Sequence, residues 1–267
     1  MAWDSDLADF ELTDDAAFRG RLPLWQPRCG YRFSVDSLLL VWFASRFGRS
    51  FLAADIGAGC GVVGLGLLAA EVADEVVGIE LQPGLARLAA MNANRNGLAD
   101  RYRVLPGSME RMLEEPRIRG ACGLVVANPP FWAGDQGRLP ECRMRQVACH
   151  EVTVDLDGWV AVAARLLRAP RGRLCAVFPA RRLGSLLARF SDHGLAAEIL
   201  VPVGPRRGKP AELVLVAARP GTGDRLVLEP PLILRDDGGG DTPELAGILD
   251  GSFSEALAAR PGRGSVS

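Results

Sequence analysis

Histidine and lysine are scarce in this chain: its 267 residues include two histidines, and Lys209 is the single lysine. Six cysteines (Cys29, Cys60, Cys122, Cys142, Cys149 and Cys175) are scattered, with no Cys-x-x-Cys pair. Zinc sites draw on closely spaced thiols and imidazoles, so no metal site is expected. Cys60, Cys122 and Cys175 lie in or beside apolar segments. The thiols read as small core residues and a few loop positions in a reducing cytoplasm. Long apolar runs are also missing, and nothing approaches the roughly 20 residues of a membrane span. The best candidate, Val62 to Ala70, is short and follows glycines. The first residues, Met1-Ala2-Trp3-Asp4-Ser5-Asp6, are acidic. They lack the cationic and then apolar order of a secretory signal, and none is expected.

Hydrophobic residues make up 48% and charged residues 24% of the chain, ordinary for a globular protein. The length suits one large α/β domain with appendages better than two independent cores. The net charge of −1 hides an asymmetry: residues 138–219 carry 14 basic against 7 acidic side chains. Nearly all of that positive charge is arginine, whose planar fork makes paired contacts to phosphate. The alternative is a solvated basic face.

From residue 51 onward, strand and helix signals alternate as in a doubly wound sheet. Strands are expected at Phe51 to Ile56, Val76 to Ile79, Tyr102 to Leu105, Leu124 to Ala127 and Leu174 to Phe178. Helices are expected at Val62 to Ala70, Pro83 to Asn96, Ser108 to Leu113, Asp157 to Leu167 and Arg181 to Phe190. Leu195 to Val201 and Glu212 to Ala217 have no helix between them, so these two strands should pair antiparallel. Residues 1–50 read as an N-terminal appendage containing an apolar, helix-like run from Leu38 to Phe43. Residues 51–219 form the main domain, and 220–267 an extension whose segment Leu226 to Leu234 lies extended on the surface. The last dozen residues are expected to be disordered.

Asp55-Ile56-Gly57-Ala58-Gly59-Cys60-Gly61 falls between a strand and a helix. Glycines at Gly57, Gly59 and Gly61 let backbone approach a ligand without Cβ interference. Gly59-x-Gly61-x-x-Gly64 also fits a dinucleotide fingerprint, which keeps a nicotinamide oxidoreductase as a rival. Asp55, placed to hold a ligand ammonium directly or through water, argues for a different cofactor. Glu80 ends the second strand, where an acid binds ribose hydroxyls in either case. Leu81 beside it and Ser108, after the third strand, complete the candidate cofactor contacts on this side.

Asn128-Pro129-Pro130-Phe131 follows the apolar strand Leu124 to Ala127. Strand ends are where open α/β sheets place their chemistry. The Asn128 amide oxygen and the Pro129 carbonyl can accept the two hydrogens of a planar amine. The fixed φ of Pro129 and Pro130 helps direct the backbone carbonyls. Phe131 offers a ring on which a base stacks. Such acceptors favour a pyramidal amine with its lone pair aimed at a methyl donor, so positioning supplies most of the rate. Asn128 therefore borders both cofactor and substrate. Such a loop has no role in hydride transfer.

Five segments occur in order: Gly30 to Leu40, the glycine loop from Asp55, Asn128-Pro-Pro-Phe, His150-Glu151, and Arg206-Arg207-Gly208-Lys209-Pro210-Ala211. Over roughly residues 26 to 235 the chain resembles the bacterial tRNA valine adenine-N6 methyltransferase family. The resemblance implies a Rossmann-like class I methyltransferase fold: a seven-stranded sheet with one antiparallel strand and helices on both faces. It implies S-adenosylmethionine as cofactor, with Asp36 beside the cofactor's methionine end. It also implies a tRNA adenosine N6 next to the anticodon as acceptor, in a cytoplasmic protein without metal or membrane attachment. Trp132 to His150 reads as a lid over the target base. Arg143 and Arg145 in it, with Arg206, Arg207 and Lys209, are candidate RNA contacts. His150 and Glu151 either touch substrate or anchor that loop. Guanine-N2 of ribosomal RNA and a protein glutamine amide are alternative acceptors for the same motif. A non-catalytic RNA-binding module is opposed by the joint presence of Asp55, Glu80 and Asn128.

Overall fold

Strands that are apolar almost without interruption make the centre of the molecule, because a sheet covered on both faces has no polar side. All four residues of Leu124-Val125-Val126-Ala127 are buried. The computed structural model describes residues 11–29, 32–108, 115–129, 156–223 and 225–260. The chain opens with an antiparallel hairpin of β1 (Leu12–Ala17) and β2 (Leu22–Pro27), followed by α1 (Val35–Ser45). Then come β3 (Ser50–Ile56), α2 (Val62–Ala69), β4 (Ala73–Glu80), α3 (Pro83–Arg95), β5 (Tyr102–Pro106) and β6 (Leu124–Ala127). After them run α4 (Leu156–Leu166), β7 (Arg173–Pro179), α5 (Leu183–Asp192), β8 (Leu195–Arg206) and β9 (Leu213–Pro220). The last elements are β10 (Val227–Leu228), β11 (Leu232–Arg235), α6 (Pro243–Asp250) and α7 (Glu255–Ala258).

The strands order as β10-β8-β9-β7-β6-β3-β4-β5, with β11 also on β8. β3 to β7 are mutually parallel, and β9 runs antiparallel to both neighbours. Side chains alternate across the sheet as a strand requires. Leu124 and Val126 pack with α1, α2 and α3, and Val125 and Ala127 with α4 and α5. The result is a three-layer sandwich with helices on both faces, as expected.

Three details differ from the expectations. The sheet has nine strands rather than seven, because β10 and β11 add to the β8 edge in parallel register. They are the segment expected to lie extended on the surface, broken in two by Pro230-Pro231, which cannot donate to a ladder. The β1–β2 hairpin was not foreseen, since Asp14, Asp15 and Pro23 blur its alternation. Of the last dozen residues, expected to be disordered, Ala256 to Ala258 belong to the helix Glu255–Ala258, where Ser254 Oγ accepts from the Leu257 N–H at 3.3 Å. The expected helix over 108–113 lies, apart from Ser108, outside the described residues.

The parallel strands put Ile56, Glu80, Pro106, Ala127 and Pro179 along one edge of the sheet. β8 runs in the same direction as β7, so the β8–β9 turn sits on that edge too.

Candidate cofactor pocket and amine-acceptor site

At the end of β3 the chain turns through Gly57, Gly59 and Gly61, with φ of 75°, 56° and 89°. L-residues rarely enter that left-handed region. The turn is anchored from β4, where the Ile79 carbonyl accepts the N–H groups of Gly57 at 2.9 Å and Ala58 at 3.0 Å. A Cβ on Gly57 would meet nothing within 4 Å, so open space lies against the backbone.

Asp55 lies beneath this loop, 1% exposed, with Oδ2 accepting the Gly64 N–H at 2.9 Å. Burial pushes its carboxyl up to about 7; the Gly64 hydrogen bond opposes the shift and the charge of Glu80 adds to it. Glu80, at the end of β4, splits its carboxylate. Oε2 accepts from the Gly59 N–H at 2.8 Å and Oε1 from the Gln82 N–H at 2.9 Å. Burial raises its pKa as well, against those backbone donors. Each oxygen retains a lone pair for a ligand hydroxyl. Leu81 is 42% exposed next to it. Gly107 donates its N–H to the Glu80 carbonyl at 2.9 Å, which brings the Gly107–Ser108 turn to the same corner. A glycine backbone with open space beside it, a carboxylate and an exposed apolar side chain fit a nucleoside-bearing cofactor.

Asn128 follows β6, one strand from the glycine loop, and is half-buried; Pro129 is buried. The Asn128 Nδ2 donates to Ser37 Oγ at 3.2 Å. That contact brings the first turn of α1, with Asp36, to the end of β6. Asp36 is partly buried, and burial raises its carboxyl above the ordinary value. The sequence-predicted Asp36, Asp55, Gly57, Gly59, Gly61, Glu80, Leu81, Ser108, Asn128 and Pro129 all lie on or beside the loops and turns at this one edge. Pro130, Phe131, Arg143, Arg145, His150 and Glu151 lie outside the described residues. Arg206, Arg207 and Lys209 occupy the exposed β8–β9 turn on the same edge, three strands from β6. At about 4.8 Å per strand that is about 14 Å away. Among the described residues none of the three makes an ion pair, whereas Arg235 is paired with Asp241.

Two residues at the site went unnoticed in the sequence. Ser37 is one. Asn92, fully buried on α3, is the other: its amide exchanges hydrogen bonds with both backbone groups of Trp25 at 2.8 Å. Its Nδ2 also reaches the Cys60 carbonyl at 2.9 Å. Asn92 thereby ties the hairpin to the glycine loop. Among the described residues, no three His, Cys, Asp or Glu side chains cluster as a metal site, and no helix is long and apolar enough to cross a membrane.

Comparison with known proteins gives a consistent picture. The family described as Methyltransferase small domain matches residues 35–151. The tRNA1(Val) (adenine(37)-N6)-methyltransferase of Porphyromonas gingivalis is 30% identical over 255 residues, covering 92% of this chain and 97% of that one. The protein of the same name from Tolumonas auensis is 30% identical over 230 residues, covering 84% and 91%. Among solved structures, a predicted O-methyltransferase from Agrobacterium tumefaciens matches with a TM-score of 0.62 at 22% identity, covering 81% of this chain and 96% of that one. The P. horikoshii protein TYW2, crystallised in complex with MeSAdo, matches with a TM-score of 0.51 at 12% identity, covering 74% and 67%. The structural likenesses speak for the methyltransferase fold. Identity at 30% across nearly the whole of both chains makes this protein a member of the tRNA1(Val) (adenine(37)-N6)-methyltransferase family.

Proposed function

We propose that this protein uses S-adenosylmethionine to methylate the exocyclic N6 of an adenosine in tRNA. The relatives' names specify valine tRNA and adenine 37, and we carry that substrate over. A cytoplasmic location goes with it. The observation that carries the proposal is the Asn128 amide at the end of β6, beside the glycine loop and against α1. The cofactor, when bound, supplies an activated methyl group on a sulfonium with a neutral leaving group. Glu80 is suited to its ribose hydroxyls, Leu81 and Ser108 to its base, and the glycine loop to its methionine part. Asp36 and Asp55 set negative charge near the ammonium, Asp55 from beneath the loop. The Asn128 oxygen and the Pro129 carbonyl accept the two amine hydrogens, and Phe131 stacks on the base. No strong base is required, since the amine sheds its proton only after it has become cationic.

Arg206, Arg207 and Lys209, together with Arg143 and Arg145, form the phosphate-binding side. Arg181, exposed just past the end of β7, lies between the β8–β9 turn and Asn128. Incubation with tritiated cofactor and separate pools of tRNA, ribosomal RNA and protein tests the proposal. Label should enter tRNA, and nucleoside digestion should return N6-methyladenosine. Label in guanine-N2 of ribosomal RNA or in a glutamine amide would assign the same site to another acceptor.

A further inference from the structure

Resting on the acceptor role of Asn128, we infer that Ser37 is a positioning residue that fixes which end of the Asn128 amide faces the target amine. An asparagine side chain has one accepting end and one donating end, related by a half-turn about its last torsion. Only the oxygen can receive an amine hydrogen. With the amide reversed, N–H would face N–H and the amine would lose an acceptor. The half-turn is soft, because terminal sp³–sp² torsions are broad. Something must therefore hold the amide, and Asn128 is only half-buried.

Ser37 provides that hold. Its Oγ takes a hydrogen from Nδ2 at 3.2 Å, which leaves Oδ1 as the end for the substrate, and a reversed amide would need the hydroxyl to turn and donate instead. The serine itself is rigidly placed: it is 0% exposed in the first turn of α1, and its N–H donates to the Ser34 carbonyl at 3.2 Å. Leu38, Leu39 and Leu40 beside it are sunk in the core. The partners are 91 residues apart in the chain. The N-terminal helix thus sets the geometry of the catalytic strand while its Asp36 borders the cofactor side.

Steady-state kinetics with tRNA on Ser37→Ala, alone and in an Asn128→Asp background, tests the inference. An aspartate is the right control because its two oxygens are equivalent acceptors, so its orientation no longer matters. With Asn128 in place, Ser37→Ala should lower kcat about tenfold, the size of one hydrogen bond lost at the transition state. The KM for tRNA and the calorimetric Kd for the cofactor should stay near wild type. In the Asn128→Asp background, the same substitution should change kcat by less than about twofold. Ser37→Thr, which returns a hydroxyl, should recover most of the loss. If Ser37→Ala fails to fold, Ser37→Cys takes its place, with similar volume and a poor acceptor. A wild-type kcat in the Ser37 variant overturns the inference, and so does the same fractional loss in both backgrounds, which would mark a merely structural serine. Failure of the underlying proposal looks different: Asn128→Ala would then turn over normally.

Discussion

Asp55 stands where an ionised carboxylate is costly unless a positive group comes near. Its carboxyl keeps its proton in the folded chain up to about 7, while an unfolded aspartate releases it near 3.8. The folded state therefore binds the extra proton between those values, and stability falls as pH rises across that window. A cationic ammonium favours the ionised form. Thermal stabilisation by saturating cofactor should accordingly be larger at about pH 8 than at about pH 6. A scanning-calorimetry series across that range checks this, and a flat dependence would remove Asp55 from the ammonium's surroundings. Asp55→Asn keeps an acceptor for the Gly64 N–H but lacks the charge, and should weaken cofactor binding about tenfold or more. Tyr102 poses the opposite case. Its hydroxyl is buried with no hydrogen-bond partner among the described residues, and a Cβ on Gly78 would stand 2.5 Å from it. Tyr102→Phe removes the unsatisfied group and should raise stability by about 1 kcal/mol in denaturant melts. The glycine loop, Glu80 and Asn128 were legible because the spaced glycines after one strand, the acid closing the next and Asn-Pro-Pro after an apolar strand are patterns carried within short stretches of sequence. Ser37 and Asn92 were not, because a serine or asparagine in a helix looks like surface until its partner across the fold is known.

The core strands were legible for a similarly local reason: each is a short apolar run followed by a turn signal. Elements that depend on distant partners escaped. β10 is two exposed residues and β11 four, of which Leu232 alone is buried, and both are strands because they pair with the free edge of β8. The β1–β2 hairpin likewise owes its place to elements far along the chain, α6 and α7. Arg21 donates to the carbonyls of Asp250 at 2.8 Å and Ala258 at 3.2 Å, and Phe18 meets Phe253 edge-on at 6.0 Å. Leu257, on the four-residue α7, is 0% exposed in the same cluster. Leu257→Ala should therefore cost about 2–4 kcal/mol despite its position near the end of the chain. Urea unfolding measures it, and a change under about 0.5 kcal/mol, the scale of an ordinary surface substitution, would mean that the C-terminal helices merely rest on the domain.

At the scale of the whole molecule, sheet topology puts charge and chemistry on one edge. In the main sheet β9 alone runs against the other strands, so β8 ends on the same edge as Asn128 and its turn presents Arg206, Arg207 and Lys209 there. Phosphate contacts release counterions, so affinity for tRNA should fall steeply with salt. Replacing Arg206 and Lys209 together by Ala should raise the KM for tRNA, lower the salt slope by about two units and leave cofactor affinity unchanged. An unaltered slope would make this turn an ordinary solvated face. The meeting of hairpin and C-terminal helices bears on how the molecule is made. A ribosome adds about 5–20 residues per second, and the glycine loop and Asn128 emerge long before Leu245, Ile248 and Leu257. Until those leucines and the isoleucine arrive, Phe18 lacks part of its cover and Arg21 has none of its carbonyl partners. The hairpin is thus synthesised well before the helices that secure it, so a nascent chain can hold every cofactor-loop residue before the strand that Asn92 ties to that loop is locked.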